Sequence, residues 1–360
     1  MKQSYPAVKN IASGSSLLRP DGTSFWQFLK KEKIAYQKDH FPFLTAHKIP
    51  RLKEVYDFEA FMALQSRGQA LAYLYQGFGR SLDYVGPVLD SELEHGFNDH
   101  TDRHTLWVSQ VVAELLHRSG KSYLGKKDYN EKTEVLATLV GMTHDIGNFV
   151  SRKEHSTYSA WMLGKLFGNT YSDVKAWEAV EYSILFHEEP VLVQQGVHLS
   201  DGIPLQWALV LADKMHVGRD RIGGRSVESG VKKRAFDKDV HILLNALIVR
   251  STWYFEVNTF VWHLDFSVDQ LGEKFASFSK GNKRLWLPRF FQKHFLKKGT
   301  IYRESFAKLF SDVYGDRMSM AAESAFLLFP YINTFKVRLV DNDTRQKVGS
   351  GEMVVWEKKR

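Results

Sequence analysis

The chain has 360 residues, 44% apolar and 14% aromatic, which is enough to bury a large core and too apolar for a disordered chain. It contains no cysteine, which excludes disulfides and thiolate metal sites and leaves His, Asp and Glu as the candidate metal ligands. A net charge of +8 and a pI near 9.3 give a field that attracts phosphates or nucleic acid without choosing between them.

In chain order, residues 1–23 are punctuated by Ser, Gly and Pro and read as an arm, after which Ser24 caps a helical pattern beginning Phe25-Trp26. From Leu52 to about Leu89, apolar residues at mixed spacings of three and four predict two or three helices. Asp102 to Leu116 is a helix with an apolar stripe at Leu106, Val108, Val111, Val112, Leu115 and Leu116, and His104 sits in its first turns. Glu131 to His144 is a helix apolar nearly all round, therefore buried, and it ends at the pair His144-Asp145. His155 precedes the run Ser156 to Leu163. Ser172 or Asp173 caps a helix from Val174 to Phe186 that stops at His187-Glu188-Glu189-Pro190. Leu205 to Met215 is a short, strongly apolar helix that carries Asp213.

Beyond Arg250 the texture changes. Trp253 to Val257 and Phe260 to Phe266 read as strands joined at Asn258-Thr259, a hairpin. A basic stretch from Lys280 to Lys298 follows, then a helix from about Ile301 to Phe326. Thr334 to Val340 and Gly351 to Trp356 form a second hairpin around Asp341-Asn342-Asp343. The expected fold is mainly α, a helical bundle with a C-terminal α+β extension, in three parts: residues 1–95 as arm and packing helices, 96–250 as the metal-binding catalytic domain, and 251–360 without an assigned role. No signal-peptide core and no run of about 18 apolar residues is seen, so a cytoplasmic location without a membrane partner is expected.

A hydrolytic metal site needs neutral imidazoles and carboxylates converging from different elements, with room left for water. The helix-end histidines and aspartates meet that requirement. An adjacent His-Asp pair suits it because consecutive helical side chains diverge by about 100° and can straddle one metal or bridge two. Glycine at 147 lets the backbone turn close to such a site. Any one histidine alone is more often a helix-terminal or core residue than a ligand; the ordered set is what points to a metal.

His104, His144-Asp145 and Asp213 resemble the H, HD, D signature of the HD superfamily. The strings that carry the likeness are Asp102-Arg103-His104-Thr105-Leu106, Thr143-His144-Asp145-Ile146-Gly147-Asn148 and Leu211-Ala212-Asp213-Lys214, within His100 to Ile222. The region from Glu154-His155 to His187 is similar to HD-type dinucleoside tetraphosphate hydrolases. The resemblance implies an HD-domain bundle with two divalent metals per chain (Mn, Fe, Co or Mg). His104, His144 and Asp213 would hold one, His155 and His187 the other, with Asp145 bridging. The interval from Asp145 to His155 is shorter than in many dinuclear relatives.

The activity implied is that of a phosphohydrolase cleaving a phosphoester or phosphoanhydride bond of a nucleotide or related phosphate through a metal-bound hydroxide. Asp145, Lys214 and Arg219 are its catalytic candidates, the two cations facing phosphate or simply the solvent. His216, one turn beyond Asp213, can share that face, and Arg221, Arg152 and Lys153 are further candidates for phosphate. His100 either lines the site or belongs to the loop before the helix, and Glu188 either orients water or is solvated. Two rival functions use the same ligands: a mixed-valent di-iron oxygenase and a nucleotide-sensing regulatory protein. The acid-free, aromatic-interleaved stretch Lys280 to Lys298 suits nucleic acid, although a helix with buried aromatics and solvated lysines is favoured there. Homo-oligomerisation stays open.

Overall fold

The computed structural model describes residues 56–78, 102–125, 128–149, 154–167, 171, 173–188, 196–222, 240–267, 296–297, 300–301, 305–343 and 346–357. The N-terminal arm, the Ser24 helix, residues 79–89, His100, Arg152, Lys153, Ser172 and nearly all of the basic stretch lie outside the described residues. The chain divides into two compact units. The first holds the described residues within Met1–Val85 and Thr105–Ala212; the second holds those within Gly86–His104 and Asp213–Arg360. Among the described residues, no helix is long and apolar enough to cross a membrane.

The first unit is helical. Its elements are α1 (Phe58–Met62), α2 (Arg67–Phe78), the Thr105–Ser119 part of α3 (Asp102–Ser119), α4 (Glu131–Thr143), α5 (His155–Leu166), α6 (Val174–Leu185) and the Pro204–Ala212 part of α7 (Pro204–Met215). The buried stripe of α3 is Val108, Val111, Val112, Leu115 and Leu116, with Leu106 half-buried. Central to the unit is α4. Asn130 caps it by accepting the Thr133 amide at 2.9 Å, and Glu131 and Glu134 complement the positive end of its dipole. Thr133 and every residue from Val135 to Thr143 are buried, as the all-round apolar pattern predicts.

Packing around α4 is close enough to require glycine. A Cβ at Gly141 would overlap the Ser109 backbone of α3. Asp173, rather than a residue further out, caps α6 by accepting the Ala176 amide at 3.0 Å. It also pairs with Lys132 of α4, tying the N-terminal ends of the two helices together. An aromatic cluster closes the far side: Tyr56 stacks on Phe167 at 4.9 Å, Phe58 meets Trp177 edge-on at 5.0 Å, and Tyr171 stacks on Trp177 at 4.0 Å.

The second unit is α+β. It contains α8 (Val240–Leu247), the strands β1 (Ile248–Glu256), β2 (Thr259–Phe266), β3 (Leu296–Lys297) and β4 (Thr300–Ile301), the helix α9 (Ser305–Leu328), and β5 (Thr334–Asp341) and β6 (Gln346–Glu357). Both expected hairpins form, β1 with β2 and β5 with β6, and β2 pairs with β5 in parallel, giving one four-stranded sheet of order β1-β2-β5-β6. Trp262, Phe260, Phe335 and Val337 are buried, Phe260 stacks on Phe335 at 5.4 Å, and Phe306 of α9 stacks on Phe266 at 4.1 Å.

Three sequence expectations shift. The first turn is Val257-Asn258, because Thr259 already pairs with Glu256; Asn258 takes the left-handed φ of 54° that Asn tolerates, while β-branched Thr259 suits the strand. The long helix starts at Ser305, since Thr300-Ile301 pairs with Leu296-Lys297 as strand. A helix at Val240–Leu247 is additional.

Candidate metal centre

In the first unit the site is built from helix ends. His144 caps the C-terminus of α4, Asp145 follows, and Ile146–Phe149 forms one short 3-10 turn that leads toward α5. His155 is the first residue of α5, and His187 lies just past α6. The 3-10 turn is pressed onto the start of α5: the Gly147 amide donates to Ser159 Oγ at 2.8 Å, and a Cβ on Gly147 would sit on the His155 carbonyl oxygen and the Ser159 amide. The glycine after the His-Asp pair is therefore what sets the backbone of His155 beside that of Asp145.

The Asp145 carboxylate is buried, and both of its oxygens face imidazoles. Oδ2 is 3.4 Å from His144 Nε2; Oδ1 is 3.3 Å from His155 Nε2 and 4.0 Å from His187 Nε2. The two ring nitrogens His155 Nε2 and His187 Nε2 are 3.2 Å apart. Asp145, His155 and His187 each offer one atom to a common point, all within 4.8 Å of one another.

The protons on these rings can be placed. His144 Nδ1 is 2.9 Å from the Gly141 carbonyl oxygen and His187 Nδ1 is 2.6 Å from that of Ile184. A carbonyl oxygen only accepts, so each Nδ1 carries a proton and donates. In the neutral ring Nε2 is then a lone pair, and it points at a carboxylate oxygen or at another imidazole. The Nε2 lone pairs of His144 and His187 face the Asp145 carboxylate, and acceptors that face one another in a buried pocket repel unless a cation lies among them, so this donor set fits a divalent metal ion. Glu188 Oε1, 3.9 Å from His187 Nε2, is a neighbouring carboxylate.

The second unit repeats the pattern. His104 and Asp213 are both buried, with His104 Nε2 3.4 Å from Asp213 Oδ1. The other oxygen, Oδ2, accepts from Lys214 Nζ at 2.8 Å and has Arg317 Nη2 at 3.8 Å. His104 Nδ1 lies 2.6 Å from His216 Nδ1, and the two rings stack with centroids 4.9 Å apart. Burial, followed by the charges of His104, Arg221 and Arg317, holds the His216 pKa well below its usual 6.5 against the opposing pull of Asp213.

All six expected ligands thus meet a partner of the expected kind within their own unit, and His104, His144, Asp145, His187 and Asp213 are buried while His155 is partly exposed. The two cations singled out for phosphate have protein partners: Lys214 is buried on Asp213, and Arg219 Nε donates to the Ala246 carbonyl at 2.9 Å, at the end of α8. Arg317, from α9, is the contributor that sequence reading missed. It lies far along the chain, and no local spacing connects it with Asp213. No protein-family model, no curated protein and no solved structure matches this chain.

Proposed function

We propose that the chain is an HD-type metal-dependent phosphohydrolase that cleaves a phosphoester or phosphoanhydride bond of a nucleotide or related phosphate, with His104, His144, Asp145, His155, His187 and Asp213 as its metal ligands. The observation that carries the reading is the crowd of candidate ligand atoms at Asp145: three imidazole Nε2 atoms within 3.3 to 4.0 Å of one buried carboxylate, two of those rings, His144 and His187, turned by main-chain carbonyls so that Nε2 presents a lone pair. A divalent ion bound by such ligands supplies Lewis acidity toward a phosphoryl oxygen and lowers the pKa of water.

The residues of the chain do the rest. In this reading Asp145, with Oδ2 toward His144 and Oδ1 toward His155 and His187, would serve as the bridging ligand and orient the attacking water. Asp213 is directed through Oδ1, because Lys214 and Arg317 lie on its Oδ2 side. Lys214 and Arg219, beside their bonds to Asp213 and to the Ala246 carbonyl, would add positive charge for the phosphoryl oxygens, the requirement of any in-line phosphoryl transfer. The chain's overall positive charge favours approach of an anionic substrate.

The test combines elemental analysis with turnover. The purified protein, loaded with Mn²⁺, Mg²⁺, Co²⁺ or Fe²⁺, is given a panel of nucleotides while phosphate release is followed. Two metals per chain and release from at least one nucleotide are expected. Asp145→Ala is expected to lose both metal and activity, and His155→Ala to lose about one metal per chain, since a site of this kind depends on each of its few protein ligands. Full activity in Asp145→Ala would refute the centre. Oxygen uptake by the iron form with no phosphate ester turned over would replace hydrolysis by the oxygenase reading.

A further inference from the structure

Two of the candidate ligand histidines share one wiring rule, and a third, His104, departs from it. His144 and His187 each donate Nδ1–H to the carbonyl three residues earlier, Gly141 and Ile184, at 2.9 and 2.6 Å. His104 lies in the first turn of α3, and what meets its Nδ1 is a second imidazole, His216 Nδ1 at 2.6 Å, with the ring planes only 16° apart. At that separation the two nitrogens share a single proton, so one donates and the other accepts. His104 Nε2 is the atom that faces Asp213 Oδ1. If it presents a lone pair there, the shared proton belongs to His104 Nδ1, and His216 accepts at Nδ1 while carrying its own proton on Nε2.

We propose that His216 is a positioning residue of the centre: it selects the Nδ1–H tautomer of His104 and fixes the plane of its ring, the task that main-chain carbonyls perform for His144 and His187. This rests on the metal-centre reading given above. The placement of His216 is determined locally. It lies one residue past α7, its amide donates to the Asp213 carbonyl at 3.3 Å, and its side chain is buried. One short segment therefore delivers both the Asp213 carboxylate and the acceptor that orients the partner histidine. Outer partners of this kind raise ligand basicity and hold the ring in register, and their loss typically lowers metal affinity about 10- to 100-fold.

The experiment compares wild type, His216→Phe and His216→Gln. Two readouts are taken on the full chain: long-range ¹H–¹⁵N spectra of metal-free protein, which report the tautomer of His104, and calorimetric titration with Mn²⁺. Wild type is expected to show His104 protonated on Nδ1. In His216→Phe, which has no acceptor, the Nδ1–H form should give way to a mixture and Mn²⁺ affinity should fall about 10- to 100-fold. His216→Gln, whose amide oxygen accepts, should recover part of both. Thermal melting identifies a variant that fails to fold; should Phe fail, the Gln variant and the wild-type spectrum still decide. A His104 tautomer that is unchanged in His216→Phe, or a wild-type His104 protonated on Nε2, would overturn the proposal. Wild type that binds no Mn²⁺ would instead remove the metal-centre reading, with the metal-free spectra still deciding what His216 does.

Discussion

Replacing Gly147 by Ala is the sharpest probe of how the fold builds the first-unit site. The methyl would land on the His155 carbonyl oxygen and the Ser159 amide, both backbone atoms of α5 that cannot rotate away as a side-chain end can. The start of α5 must shift, which costs about 1–3 kcal/mol as an overpacked core. The Gly147 amide would also lose its hydrogen bond to Ser159 Oγ, at 2.8 Å, for about 1 kcal/mol more. The sum is about 2–4 kcal/mol, a fall in Tm of several degrees at roughly 2–4 °C per kcal/mol for domains of 150–250 residues. Since His155 is the first residue of the displaced helix, its 3.3 Å approach to Asp145 is disturbed too. Urea unfolding followed by far-UV circular dichroism measures the first effect, and metal content per chain the second. A Gly147→Ala protein within about 0.5 kcal/mol of wild type by the linear-extrapolation method, with full metal content, would show that the close approach between the 3-10 turn and α5 does not set the site.

Two further outcomes test the surrounding fold. Gly315 lies inside α9 with open space where a Cβ would go, so Gly315→Ala should stabilise by about 0.5–1 kcal/mol through helix propensity, read as a raised urea midpoint. At Asp173, burial pulls the carboxyl pKa up, but the hydrogen bonds from Lys132 and the Ala176 amide outweigh it and leave it below 3.8. A depressed folded pKa means stability present above the unfolded value near 3.8 and lost as pH falls through the folded one. Asp173→Asn keeps the cap and should cost about 0.2–1 kcal/mol at pH 7, while Asp173→Ala, which loses cap and pair, should cost about 1–2 kcal/mol. The gap between wild type and Asp173→Asn should narrow as the pH is taken below the carboxylate range; a gap that stays constant down to about pH 2 would refute the assignment.

The candidate ligand histidines and aspartates were legible because they sit at or near helix ends marked by local signals: the apolar run of α4 stopping at His144-Asp145, the cap at Asp173, and the breaker after His187. Burial also follows pattern, as on α3, where Val108, Val111, Val112, Leu115 and Leu116 are all buried. What escaped is tertiary. Arg317 reaches Asp213 from α9, and Lys214 Nζ meets the carboxylate of its own chain neighbour, a pairing that no local spacing announces. Val240–Leu247 is apolar on nearly every side, so periodicity distinguishes neither helix nor strand there. The two hairpins were readable one at a time, but nothing in either alternation says that β2 and β5 should pair.

That parallel pair governs the order in which the second unit can assemble. A hairpin closes across two residues within microseconds, whereas β2 must wait for a partner that begins at Thr334, with residues 267–333 between them. Such pairing raises contact order and loop-closure entropy, so the sheet is expected to be the slow step of refolding. Until β5 docks, β2 presents a bare edge carrying Phe260, Trp262, Leu264 and Phe266, a template for pairing between chains. The vulnerable species during synthesis or refolding is therefore the β1-β2 hairpin without its later partners, and self-association at that stage competes with native assembly in proportion to protein concentration.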